Sequence, residues 1–252
     1  MGGAGGIEDT DAFTASNCVA IGKAALGVLT TGGYNVAIGS SAGDELTTGT
    51  YNLLAGASSG HSIIGGSNNV LLGGYAGGEI TSGNYNIAIG YAALDAVTTA
   101  SSTIAIGYQA LGANTTGAGN IAIGYQALQE HTEGSRNMAI GYQAMVNTWD
   151  GSADDSRESS DNVAIGYQSM GGAWTDADAD DGDMSQFNVA IGNYTLSGAM
   201  AAANYNVAVG HDAGKSISTG SGNIVIGYDC GDELTTGGDN VLIGYGAGHS
   251  LV

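Results

Sequence analysis

Apolar and polar positions along this chain come in short bursts that recur at a fixed step. "NVAIG" at 35–39 returns as "NIAIG" at 86–90 and 120–124, "NMAIG" at 137–141, "NVAIG" at 162–166 and 188–192, and "NIVIG" at 223–227. Aligned on the closing glycine, the phrase falls at Gly22, Gly39, Gly56, Gly73, Gly90, Gly107, Gly124, Gly141, Gly166, Gly192, Gly210, Gly227 and Gly244. The step is 17 residues except after Gly141, Gly166 and Gly192, where it is 25, 26 and 18. A short fixed period is the mark of a solenoid. Seventeen residues are too few for a pair of helices, and the abundant glycine works against helix. The pattern therefore predicts an all-β chain: a β-solenoid (β-roll) of about 13 coils with a 17-residue repeat. Each coil is expected to hold one firm strand, a second short strand at the "YQAL" segment, and a turn at "TTG". Residues 1–16 form a lead-in and 17–252 a single repeat array, with insertion loops at 147–161 and 173–187.

The columns of the repeat carry the next inferences. The two residues flanking the strand centre (Val36 and Ile38, Ile121 and Ile123) are apolar in all thirteen coils and are expected to point inward and stack. The centre is also apolar throughout, from Ala20 and Ala37 to Val225 and Leu242. A centre residue faces opposite to its neighbours, so both faces are apolar, as in strands covered on both sides. A thin roll has one inside. The centre column is thus expected to form an apolar stripe too large to leave wet, and another copy of the chain is its simplest cover. The first position is Asn in eleven coils, Cys18 and Thr103 being the exceptions, which suggests a hydrogen-bonded ladder. The glycine that closes the phrase implies a backbone conformation or close approach that a Cβ would prevent.

Charge narrows the partners. Four Lys+Arg stand against 24 Asp+Glu, a net charge of −20, which repels nucleic acid and anionic lipid. No run reaches the ~18 apolar residues of a membrane helix. The opening "MGGAGGIEDTDAF" lacks the basic and apolar regions of a signal peptide, so the expectation is assembly without export, or export carried elsewhere. Cys18 and Cys230, eleven coil steps apart, are expected to stay free.

These residues resemble a known type. "NVAIG" and "NIAIGYQAL…TTG" are similar to the head repeats of trimeric autotransporter adhesins, and more so to the repeat arrays of phage tail fibres. The resemblance runs from about Cys18 to Gly248. It implies a parallel homotrimer of β-rolls used in adhesion, located on the virion or an extracellular surface, with other fibre proteins as partners. The adhesin head repeat is shorter than 17 residues, and no coiled-coil stalk, membrane anchor or chaperone domain is recognisable here, which favours the viral fibre.

Catalytic signals are weak. His61, His131, His211 and His249 fall in different columns, and no Ser/His/Asp or Cys/His spacing recurs, so no enzyme activity is expected. The irregular coils draw more interest, because insertions in solenoids gather on one edge and often bind. Both tryptophans lie there, making Trp149, Asp150, Trp174 and Asp176 candidate contacts for a cell-surface glycan or receptor. Asp176, Asp178 and Asp180 alternate like the start of a calcium loop, without its sixth-position glycine. Calcium is the one cofactor the sequence suggests, and a solvated acidic loop is the reading the run favours over it. Tyr108, Tyr125, Tyr142 and Tyr167 follow the repeat glycine and form either a sugar-binding strip or a packing ladder. Two other functions compete with the adhesive rod: an ice-binding solenoid, suggested by Thr31, Thr48, Thr99 and Thr116, and a structural filament subunit.

Overall fold

The computed structural model describes residues 16–148, 159–174 and 185–250. The described residues form an all-β solenoid with thirteen parallel strands of three residues each. Two compact units divide it, residues 1–119 and 120–252. The first contains β1 (Val19–Ile21), β2 (Val36–Ile38), β3 (Leu53–Ala55), β4 (Val70–Leu72), β5 (Ile87–Ile89) and β6 (Ile104–Ile106). The second contains β7 (Ile121–Ile123), β8 (Met138–Ile140), β9 (Val163–Ile165), β10 (Val189–Ile191), β11 (Val207–Val209), β12 (Ile224–Ile226) and β13 (Val241–Ile243). Within each unit, successive strands pair in unbroken register: Val36 faces Leu53 and Ala37 faces Leu54, just as Ile121 faces Met138 and Ala122 faces Ala139. The 25- and 26-residue coils keep that register.

The inside and outside of the strand are the reverse of the sequence expectation. The centre column is the interior: Ala37, Leu54, Leu71, Ala88, Ala105, Ala122, Ala139, Ala164, Ala190, Ala208 and Val225 are all fully buried. The flanking residues face outward, half-buried or exposed. A narrow coil has room for a small side chain at the strand centre, not for two β-branched ones. The column opposite sets the exact volume. Behind Ala88, Ala105, Ala122 and Ala139, the residue six positions later, Leu94, Leu111, Leu128 or Met145, fills the interior and is fully buried; behind Ala37 and Ala208 that position is glycine. Where the centre is Leu54 or Leu71, that later position is Gly60 or Gly77. A Cβ on Gly60 would stand 3.0 Å from both leucine side chains. Large and small residues thus exchange across the core while packing density is kept.

No second strand forms at "YQAL". Gln109 and Leu111 both have φ +51°, and the equivalent residues of the other coils share this left-handed conformation, which breaks an extended run. Coils still bond there through single amides: Gln109 donates to Tyr91 O at 3.0 Å, and Leu94 to Ala110 O at 3.0 Å. The repeat glycine behaves as expected. Gly90 has φ +138°, and a Cβ on it would meet Gly107 O at 2.3 Å.

The asparagine column is the predicted ladder. Asn52 donates from its side-chain nitrogen to Asn35 Oδ1 (3.1 Å) and to Gly66 O (2.8 Å), while its backbone N–H also reaches Asn35 Oδ1 (2.9 Å). Each buried amide therefore satisfies its own polar atoms and ties a strand start to the corner of the next coil. The turn at "TTG" is built the same way, Thr47 and Thr48 both donating backbone N–H groups to Ile64 O at 3.0 and 3.1 Å.

Candidate functional site

The tyrosine column is set by the residue after the repeat glycine, where the chain turns off the strand. In the second unit Tyr125 stacks on Tyr142 at 5.1 Å and 7°, and Tyr142 on Tyr167 at 5.2 Å and 6°. Asn193 interrupts the column, and Tyr194 fills the gap edge-on to Tyr167 and His211. His211 then stacks on Tyr228, and Tyr228 on Tyr245. In the first unit Tyr91 stacks on Tyr108 at 5.7 Å. Parallel stacking at this spacing occupies the ring faces with one another. A sugar docks on an exposed ring face, so the stretch Tyr125–Tyr142–Tyr167 offers ring edges and a rank of hydroxyls instead. This geometry is that of a packing ladder.

A second aromatic file lies one residue before the asparagine column. Tyr34 stacks on Tyr51 at 4.9 Å, and Phe187 on Tyr205 at 5.1 Å. All four have φ near +60°. The strand pattern gave no sign of this file, although its tyrosines recur one repeat apart.

Both long insertions leave from the corner that "TTG" occupies elsewhere. Asn137 bonds Ser159 O at 2.9 Å and Asn162 bonds Ser185 O at 3.0 Å, the contact that Asn35 makes with Gly49 O. Each insertion therefore returns to the ladder in register. Trp149, Asp150, Asp176, Asp178 and Asp180 lie outside the described residues. Trp174 is described, and it is not at the surface. Only 3% exposed, it stands one residue beyond the core position of Leu46, as the buried Met200 does in the 18-residue coil. Its burial is that of a loop anchor that fills the core.

Charged groups cluster at two equivalent corners, one per unit. His61 Nδ1 bonds Asp44 Oδ1, and its Nε2 lies 4.0 Å from Glu45 Oε1. His249 Nδ1 lies 2.6 Å from Asp232 Oδ1 and its Nε2 4.0 Å from Glu233 Oε1. The hydrogen bond to Asp44 raises the His61 pKa above its ordinary value, with Glu45 and Glu79 adding and burial opposing. His249 is raised chiefly by Asp232. The signal was present in the sequence: "GDEL" followed one repeat later by "GHS", at 43–62 and again at 231–250. A different trio, His211, Asp212 and Asp229, brings metal-ligating atoms within 4.8 Å of one another.

The largest feature missed in its true place is the outward face of the sheet. The flanking residues, eleven Val, Ile or Leu with Ala55 in the first unit and fourteen Val, Ile or Met in the second, form apolar rows that include no charged side chain. Ile38 is 43% exposed and Ile191 40%. Cys18 and Cys230 are both free, and among the described residues no helix is long and apolar enough to cross a membrane. Compared with known proteins, the chain matches no family model, no curated protein and no solved structure.

Proposed function

We propose that this chain is the rod of a fibre, a viral tail fibre or a comparable surface adhesin, assembled as a parallel homotrimer and contacting a cell-surface glycan or receptor. One observation carries the reading: an uncharged aliphatic sheet face on a molecule of net charge −20. Apolar patches on monomers run to about 300–600 Å², and a row of fourteen aliphatic residues in one unit alone calls for a cover. Another copy offers the same row at the same ~4.8 Å strand spacing, so side chains can interdigitate along its whole length. The rest of the surface, rich in carboxylates, keeps assembled rods apart. The chemistry of contact then falls to the insertion corners, since the stacked tyrosines present edges.

Sedimentation equilibrium of the purified chain tests this. A trimer is expected, and Ile121→Glu with Ile140→Glu, both on the outward face, is expected to give a folded monomer with unchanged circular dichroism. A monomeric parent chain would remove the proposal. Replacing both insertions with "TTG" is expected to leave the trimer intact and to reduce attachment to cells sharply. The outward Thr48, Thr99 and Thr116 favour ice binding only locally, because Gly65 and Glu133 interrupt their rank. An ice-shaping assay is expected to be negative.

A further inference from the structure

The second unit breaks two of its columns at the same place. In coils beginning at Asn120, Asn137 and Asn162, the residue after the tyrosine is Gln126, Gln143 and Gln168. These amides bond up the column, Gln143 Nε2 to Gln126 Oε1 and Gln168 Nε2 to Gln143 Oε1, each at 2.9 Å. Two coils later that column holds Asp212 and then Asp229, while the tyrosine beside Asp212 is replaced by His211. An amide ladder alternates donor and acceptor. A ladder of carboxylates has acceptors only, and like charges one coil apart repel.

Among the described basic groups of this unit, Arg136 forks Asp161 through two bonds of 2.7 Å and Lys215 Nζ lies 3.8 Å from Asp232. Neither serves Asp212 or Asp229. What faces them is an imidazole: His211 Nδ1 lies 2.8 Å from Asp212 Oδ2, and all three residues offer ligand atoms within 4.8 Å of one another. The ring is held in place by stacking on Tyr228 at 5.3 Å and by the edge contact with Tyr194 at 5.7 Å. A separation of 2.8 Å between nitrogen and oxygen is close to the ~2.9 Å edge of an octahedron with ~2.05 Å bonds.

We propose that His211, Asp212 and Asp229 bind a divalent transition-metal ion. The donor set selects the class: an imidazole nitrogen with two carboxylates suits zinc, nickel or cobalt, whereas calcium takes oxygen ligands and more of them. The ion bridges two successive coils, stapling the segment after β11 to the segment after β12. It neutralises the two carboxylates that the amide ladder would otherwise have paired. It is distinct from the acidic run at 176–183, whose donors are all carboxylates.

The test uses the full chain, stripped with a chelator and titrated with zinc in excess calcium and magnesium. A saturable zinc-binding step is expected that His211→Tyr or Asp229→Asn weakens at least tenfold; the tyrosine keeps an aromatic ring in the column, so the fold persists. Substoichiometric cobalt is expected to broaden the His211 ring resonance ahead of those of the other three histidines. No saturable step overturns the proposal, as does a step unchanged in His211→Tyr. A step lost only when Asp176, Asp178 and Asp180 are changed to Asn also overturns it, and places the ion in the acidic run. Oligomeric mass and cell attachment read the fibre proposal separately, so failure of either reading leaves the other standing.

Discussion

Asn114 occupies the interior position that Leu46, Ile63, Ile80 and Val97 hold in the four preceding coils, and it is equally buried. Neither polar atom of its side chain finds a hydrogen-bond partner in the protein. A buried polar group left unpaired costs about 1–3 kcal/mol. Asn114→Val restores the aliphatic column, so it is expected to raise the unfolding midpoint by the equivalent of about 1–2 kcal/mol, read by thermal or urea denaturation. A lower midpoint would mean that the amide is satisfied in solution. Ala122 makes the opposite case. Its side chain points into the core, so Ala122→Glu buries a carboxylate without a counter-charge and is expected to cost several kcal/mol. The expected phenotype is loss of the folded chain, seen as a collapsed circular dichroism signal, and not a soluble monomer.

At the scale of one strand, the repeat and its register were legible in the sequence, and the direction of its side chains was not. Alternation assigns faces only when one face is polar. In Val-Ala-Ile all three residues are apolar, so the period fixes which residues go together but not which side is inside. Size held the missing information. The centre column contracts to Ala wherever the position six residues on is Leu or Met, and a centre larger than Ala, as at Leu54, Leu71 and Val225, occurs only where that position is glycine. Residues that exchange volume in this way must share one cavity, and the flanking Val and Ile residues show no such exchange. The failed second strand has a related cause. "YQAL" is apolar enough for a short strand, yet its glutamine and leucine take left-handed dihedrals that no hydropathy pattern announces. The candidate contact residues were legible only as composition: the surplus of Trp and Asp marks where the coils are interrupted, and the burial of Trp174 is that of a loop anchor.

Over the whole molecule, the two histidine corners give a pH dependence with a defined sign. His61 and His249 have folded pKa values raised by their carboxylate partners. Their contribution to stability is therefore complete below the unfolded imidazole value of about 6.5 and is lost as pH rises through the folded values. The parent chain is expected to lose stability between mildly acidic and mildly alkaline pH. His61→Gln with His249→Gln is expected to flatten that slope, measured as the urea midpoint against pH. A slope unchanged in the double variant would assign the dependence to other groups. The register that places these corners also bears on how such a chain changes through time. Among the described residues of each unit, the backbone bonds, ladder amides and stacked rings that leave a coil reach only the neighbouring coil. Copying one repeat's worth of coding sequence into the gene therefore adds a coil whose neighbours are the ones it was shaped for, and deleting one rejoins surfaces that still match. "GDEL" and "GHS" stand in the same relation at 43–62 and 231–250, the pattern that copying a two-coil block would leave. Length in this architecture is a heritable variable that recombination can alter in whole steps without first inventing a new core.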